Sequence, residues 1–186
     1  MISTVSVMVA AEIAILETND YFLKTNSSLR VNRMSQEDLQ WCMHISRQSS
    51  FTLEWSNVGQ DIDHYEHYNF CFKMFFNGER PSGCCACRYI PMERKVVIEM
   101  LQSFANEGDE LDGRMTAYTL VTLLYFLKEI SGLGIFIENP VNEVILQHYM
   151  RNFHFKDVFG DGSLLYKSAD DLAYLVPEWL EQNQCI

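Results

Sequence analysis

Apolar and polar positions follow one another along this chain in blocks that predict an ordered series of elements. Residues 27–33 read as a short strand. Ser35 then caps a helix running to about Ser46, with Asp38 three residues on. Residues 54–68 are polar, aromatic and acidic, and predict a helix and a loop. Residues 69–77 form a Phe-rich run that reads as a strand. Asn77-Gly-Glu-Arg-Pro81 is a turn, and residues 82–89 are the returning strand of a hairpin. Residues 94–103 predict a third consecutive strand. Residues 116–130 predict a long helix too apolar to be bathed in solvent, ended by Ser131-Gly132. Ile135–Ile137, bounded by Gly134 and Pro140, reads as a buried strand. A helix follows, with Asn139 as its cap and Pro140 in its first position. Residues 156–159, the turn Gly160-Asp-Gly162 and residues 163–167 predict a second hairpin, and the tail reads as short helix or coil. Strand, helix, three-strand meander, helix, strand, helix, hairpin is an α+β order with a mixed sheet. Residues 1–27 stand apart as an N-terminal extension, a helix or a strand and helix, ahead of one domain over 28–186.

The 186 residues are 48% hydrophobic and 13% aromatic, enough for a full core. No apolar run is long enough to cross a bilayer. Met1–Leu16 is apolar, but no Lys or Arg precedes the apolar part and Glu12 interrupts it, which does not fit a secretory leader. Six cysteines without such a leader imply free thiols in a reducing cytoplasm. The net charge of −11 excludes a non-specific nucleic-acid binder, which needs a basic face, and favours cationic or neutral partners.

The chemistry concentrates in residues 134–149. Val141, Val144, Ile145 and Tyr149 recur at helical spacing. Asn142 and Tyr149 lie seven apart, so an amide and a phenol project to the same side, beyond the end of a strand. Phe153-His-Phe155 then leads into the next strand. This strand–Asn–x6–Tyr–helix–aromatic–strand order resembles the C-terminal half of the GNAT N-acetyltransferases. The whole order of elements over roughly residues 28–167 is similar too. The family ending is Tyr-x-x-x-Gly-Phe; here it is Tyr149-Met-Arg-Asn-Phe153-His-Phe155, with no glycine and one extra residue. The resemblance implies a mostly antiparallel central sheet flanked by helices. It also implies acetyl-CoA as co-substrate, Asn142 as a cofactor contact, and Tyr149 as the acid that protonates the departing thiolate.

In that family the pyrophosphate rests on backbone N–H groups where a helix opens after the third meander strand, on the pattern Arg/Gln-x-x-Gly-x-Gly/Ala. Two registers are open here. Glu110-Leu-Asp-Gly113-Arg-Met115 supplies a glycine but puts two carboxylates beside the phosphates. Arg114-Met-Thr-Ala117-Tyr-Thr119 keeps the Arg and small residues, aligns the Leu-rich helix, and is preferred. Ser103 ends the strand ahead of this loop, and the N–H near Leu101 is placed to polarise the acyl carbonyl.

Glu99 is the base candidate, a lone carboxylate in the otherwise apolar Val96-Val-Ile-Glu-Met-Leu101. The alternative is an ion pair with Arg88 on the neighbouring strand. In GNAT proteins the region of Asp61, Asp63 and Glu66 walls the acceptor pocket, and these acids are placed to attract an amine. Those acids with His64 and His67 lack the second cluster a metal site needs, so no metal is expected. Cys84-Cys85-Ala-Cys87 puts Cys85 and Cys87 on one side of a strand and Cys84 on the other, as small apolar residues do; a thiol nucleophile at Cys85 or Cys87 is a remote alternative. The expected activity is acetyl transfer from acetyl-CoA to an amine by direct attack, with a catalytically inactive binding module of the same fold as the rival. Expected partners are a small-molecule amine or a basic peptide, and a second copy of the chain as a homodimer.

Overall fold

A computed structural model describes residues 4–48, 53–58, 67–76, 78 and 80–182. The expected acceptor-site acids Asp61, Asp63 and Glu66 lie outside these residues. Seven strands form one mixed sheet: β1 (Arg30–Arg33), β2 (Tyr68–Phe75), β3 (Gly83–Ile90), β4 (Lys95–Ser103), β5 (Gly134–Glu138), β6 (Lys156–Asp157) and β7 (Leu164–Ser168). Their order is β1-β2-β3-β4-β5-β7-β6. Only β4 and β5 run parallel, joined by the crossover helix α3 (Met115–Ile130); all other neighbours are antiparallel.

The alternation along β2 and β3 sorts side chains between the two faces of the sheet. Phe70, Phe72 and Met74 join Cys85, Cys87 and Tyr89 in the main core. Cys71, Cys84 and Ala86 face the other way, onto α2 (Gln36–Ser46) and the short helix Trp55–Asn57. Phe70, Phe72 and Met74 are sealed from water, and truncation of a phenylalanine ring in such a place costs roughly 3–5 kcal/mol. Cys85 and Cys87 sulfurs lie 3.2 Å apart on the main-core face, while the Cys84 sulfur lies 3.4 Å from Cys42 on the opposite face. The five described cysteines are free thiols.

α3 is apolar nearly all round because it is covered nearly all round. The sheet lies on one side, and α1 (Thr4–Lys24) and α5 (Ala169–Gln182) lie on the others. The first 27 residues thus contain a helix whose Val7, Ala10, Ala11, Ala14 and Phe22 sit in the main core. Its alanines let the helix axes approach closely. The buried Thr18 hydroxyl donates to the Ala14 carbonyl at 2.7 Å and meets Thr122 at 3.3 Å, so this polar pair is satisfied within the interface. Ser35 and Asp38 close α2 in a reciprocal capping box, and Asp38 also pairs with Lys73 on β2 at 2.8 Å. α3 ends at Ser131 in a left-handed conformation, with the Gly132 N–H on the Leu127 carbonyl.

The helix after β5 departs from expectation at its start. Asn139 is no cap; it takes a left-handed conformation (φ 47°) and its N–H donates to the Ser163 carbonyl at 2.8 Å. The cap is Asn142, whose Oδ1 accepts the Ile145 N–H at 3.0 Å, and α4 spans Glu143–Phe153. Pro140 therefore lies in the approach to the helix rather than in its first turn. At the other end of α4, His154 holds the left-handed position (φ 54°) that glycine usually fills. The extra residue and the missing glycine are thus accommodated by one strained histidine ahead of the buried Phe155.

Candidate active site

The site arises where β4 and β5 part. Their parallel pairing ends at Ile98↔Ile137. Opposite β3, the register shifts between Ala86, which faces Met100, and Cys87, which faces Ile98. Glu99 is therefore an extra residue without a partner, a bulge that bends and twists β4. The bulge also resets the alternation. Ile98 and Leu101 pack into the main core while Met100 faces the α2 side. On the other arm, the left-handed turn at Asn139 carries the chain away from β4. Beyond this fork every second backbone N–H and C=O of residues 99–103 faces open space instead of a neighbouring strand.

A cleft of about 430 Å³ fills the fork, lined by residues 98–103 of β4, residues 137–142, Ile145 and Tyr149 of α4, and Leu53. The expected site residues Glu99, Leu101, Ser103, Asn142 and Tyr149 all lie on it. They do so in different ways. Tyr149 is only 6% exposed and its ring rests against Phe155, centroids 5.6 Å apart. Burial pushes its phenol well above the ordinary tyrosine range, with the Cys85 and Cys87 thiols adding to the shift, so the hydroxyl stays protonated and acts only as a donor toward anything basic. Asn142 does not project from within the helix beside Tyr149; it is the cap, its carbonyl oxygen committed to Ile145. The Ser103 hydroxyl accepts the Ala105 N–H at 3.3 Å.

Glu99 lines the cleft and also pairs with Arg88. Arg88 Nε lies 3.3 Å from Glu99 Oε1, at an angle that makes no hydrogen bond, and a terminal guanidinium nitrogen lies 3.6 Å from Glu138 Oε2. The Glu99–Arg88 pair is the one the sequence offered; Glu138, which lines the cleft and shares Arg88, was missed. Glu138 directly follows Ile137 as Glu99 follows Ile98, but that equivalence appears only once the β4–β5 register is known. Trp55 closes the α2 side by donating its indole N–H to Gln102 at 2.7 Å.

The structure does not bring Arg114, Ala117 and Thr119 to the cleft. Arg114 is the N-cap residue of α3 and makes no side-chain cap hydrogen bond. Its guanidinium leans on the Tyr118 phenol: burial pushes that phenol up, and Arg114 pulls it part of the way back. Ala117 packs into the main core. Thr119 is fully buried one turn into the helix, its hydroxyl without a hydrogen-bond partner. A helix leaves only its first-turn amides unpaired, so residues 115–117 alone could meet an anion here. Thr116 at that end of α3 lies 3.4 Å from His148 Nε2 of α4, and burial lowers the His148 pKa. Among the described residues no group of three or more His, Cys, Asp or Glu is placed to hold a metal ion. Nor is any described helix long and apolar enough to cross a membrane.

A seven-stranded, mostly antiparallel sheet forked at its one parallel pair is the architecture of the GNAT N-acetyltransferases, and solved structures of that class superpose on this chain. An acetyltransferase of the GNAT family from Staphylococcus aureus Mu50 matches with a TM-score of 0.59 at 9% identity, over 76% of this chain and 99% of that one. The ribosomal-protein-S18-alanine N-acetyltransferase from Escherichia coli matches at 0.54 and 11%, over 76% and 94%. A spermidine N-acetyltransferase from Vibrio cholerae, solved in complex with CoA and spermine, matches at 0.53 and 10%, over 78% and 98%. No protein-family model and no curated protein matches the sequence. The chain has the GNAT fold, in a sequence far diverged from these neighbours.

The residues present divide in their fit to coenzyme A. The fork suits the pantetheine arm, which is narrow and carries amides able to pair with open strand edges. The loop before α3 does not suit the phosphates. It carries Glu107, Asp109, Glu110 and Asp112, and Arg114 is its one basic residue.

Proposed function

We propose that the chain is an N-acetyltransferase that moves an acetyl group from a coenzyme A-type thioester to an amine by direct attack in a ternary complex. One observation carries this reading: Glu99 and Tyr149 line the same cleft from opposite faces of the opened sheet. An amine approaching on the Glu99 side would attack the acyl carbon as the sulfur departs on the Tyr149 side. The N–C bond forms, the C–S bond breaks and the electron pair leaves on sulfur. Glu99, directly or through a water, receives the ammonium proton, because only the free amine has a lone pair to attack with. Tyr149 is the hydrogen-bond and proton donor to the departing thiolate; burial keeps the phenol protonated until negative charge develops on sulfur. The N–H near Leu101, on the open edge of β4, polarises the acyl carbonyl.

The acceptor that suits the mouth is a cation. Glu99 and Glu138 together outweigh the single Arg88 between them, and the whole chain stands at −11. A polyamine, an aminosugar or a basic peptide meets this description. The free thiols suit a reducing compartment such as the cytoplasm.

The decisive experiment is acetyl transfer to a panel of cationic, neutral and anionic amines, with Glu99→Gln beside the native chain. The expected outcome is turnover of cationic acceptors that rises with pH through one ionisation, and an acid limb flattened in Glu99→Gln. Turnover of only neutral or anionic amines would overturn the cationic acceptor. The carboxylates at the phosphate loop favour a non-catalytic binding module as the second reading; no turnover with any amine, and no rise in melting temperature with acetyl-CoA, would establish it.

A further inference from the structure

We infer that this chain grips the pantetheine arm and acyl group of its donor and leaves the nucleotide end unheld, so that acyl-pantetheine serves it as well as acyl-CoA. The inference rests on the acyl-transfer reading above and concerns which part of the donor supplies the binding.

Its basis is the state of the loop between β4 and α3. An anion site of backbone amides needs those amides unoccupied, small residues around them, and a positive field. Here five of the amides ahead of the helix are spent inside the loop. The Asn106 N–H donates to the Asp109 carboxylate at 2.7 Å, and the Gly108 N–H to the Asp112 carboxylate at 3.1 Å. The N–H groups of Asp109, Asp112 and Arg114 are taken by carbonyls three residues back. Two side-chain carboxylates thus sit on amides of the kind a phosphate would require. Glu110 is turned away, accepting from the Ser28 N–H and hydroxyl at 3.1 and 3.0 Å, and so fixes the loop in this arrangement.

The helix start leaves only the amides of residues 115–117 for an anion, and the side chains around them add no positive charge. Leu111 and Met115 are buried, and a side chain at Gly83 would run into both, so the chain is packed down onto β3. Ala117 is buried as well. The one basic residue of the loop, Arg114, is engaged with Tyr118. His148 lies beside the first turn, 3.4 Å from Thr116, and burial disfavours its charged form. An incoming 3′-phospho-ADP would meet an acidic loop whose one basic residue, Arg114, is already engaged with Tyr118. The fork 99–103, in contrast, keeps its open strand edge and an apolar lining for the arm.

The test compares CoA with pantetheine by titration calorimetry, and acetyl-CoA with S-acetyl-pantetheine in turnover, at low and high salt. The expected dissociation constants agree within about threefold. Added salt should tighten CoA, by screening its repulsion from the loop, and leave pantetheine unchanged. Asp109→Ala with Asp112→Ala, which frees two amides and removes two charges, should tighten CoA by roughly tenfold or more, with pantetheine affinity in the same protein serving as the check that the fork is intact. CoA bound a hundredfold more tightly than pantetheine, and weakened by salt, would overturn the inference while leaving acyl transfer standing. Binding of neither compound would overturn acyl transfer itself, and this inference with it.

Discussion

Glu99 and Glu138 occupy equivalent places on adjacent parallel strands, each the first residue beyond the last β4–β5 pair, and both reach the guanidinium of Arg88 on β3. Two carboxylates brought together where the strands part would repel each other. Arg88 offsets that repulsion and ties the two arms of the fork to a third strand. Arg88→Gln should therefore destabilise the fold by about 1 kcal/mol at low salt, the scale of partly exposed ion pairs, and by less at high salt. Arg88→Gln with Glu138→Gln should recover most of the loss. Urea unfolding midpoints of the three proteins at two salt concentrations check this.

Tyr149→Phe removes a hydroxyl and almost no volume from a buried site. Turnover should fall by roughly 10²-fold, the usual scale for a lost general acid, with donor affinity and urea midpoint retained. Since burial holds this phenol protonated, the native chain should show no alkaline loss of rate assignable to Tyr149. An unchanged rate in the variant would make Tyr149 a core residue and no more.

His154 ends α4 in the left-handed conformation at a cost a glycine would not bear. His154→Gly should raise stability by about 1 kcal/mol, because the backbone strain it removes exceeds the added freedom of the unfolded chain. The carbonyl at this position accepts from the buried Lys167 ammonium at 3.3 Å, and that bond survives the substitution. Denaturant unfolding measures the gain; a loss of stability would mean that the imidazole itself is needed.

Gly134 opens β5 against β7, and a Cβ there would press into the Lys167 carbonyl oxygen and lie 2.8 Å from the Tyr166 ring. Backbone cannot move aside as a side-chain tip can. Gly134→Ala should cost roughly 1–3 kcal/mol, the usual range for overpacking. The expected sign is a lower urea midpoint with an unchanged slope.

His148 should make stability depend on pH in a definite direction. Burial lowers its folded-state pKa, so folding favours the neutral ring. The stability this contributes is fully present above the ordinary histidine value of about 6.5 and is lost as pH falls through the lowered folded value. Stability of the native chain should decline over that window more than stability of His148→Gln. Equal declines would assign the acid sensitivity to other groups.

Much of the fold was legible because local pattern and tertiary need agree in it. Residues 69–77, 82–89 and 94–103 read as a meander, and the strands found there are β2 (Tyr68–Phe75), β3 (Gly83–Ile90) and β4 (Lys95–Ser103). The Ser35–Asp38 cap and the Ser131-Gly132 stop lie where side-chain and backbone chemistry require them. The Cys85/Cys87 and Cys84 division followed from the two-residue period alone. The start of α4 was misread because Asn139 and Asn142 are both competent caps three residues apart. The choice between them was made by the Ser163 carbonyl, which holds the Asn139 N–H from a hairpin distant in sequence.

The candidate site divides along the same line. Types and order of residues nominated Glu99, Leu101, Ser103, Asn142 and Tyr149, and the fork gathers them. The Glu99–Arg88 pair was one of two readings the sequence left open; the bulge at Glu99, the sharing of Arg88 with Glu138, and the occupation of the loop amides by Asp109 and Asp112 had no signature in it. By itself the sequence determined which segments form strands and helices and which side chains are chemically able to act, because those follow from period, propensity and capping within a few residues. Register, the parting of β4 from β5, and which carboxylate meets which cation or amide were decided only by the tertiary structure. They depend on pairings across sheet and loop whose energies are set by groups far apart along the chain.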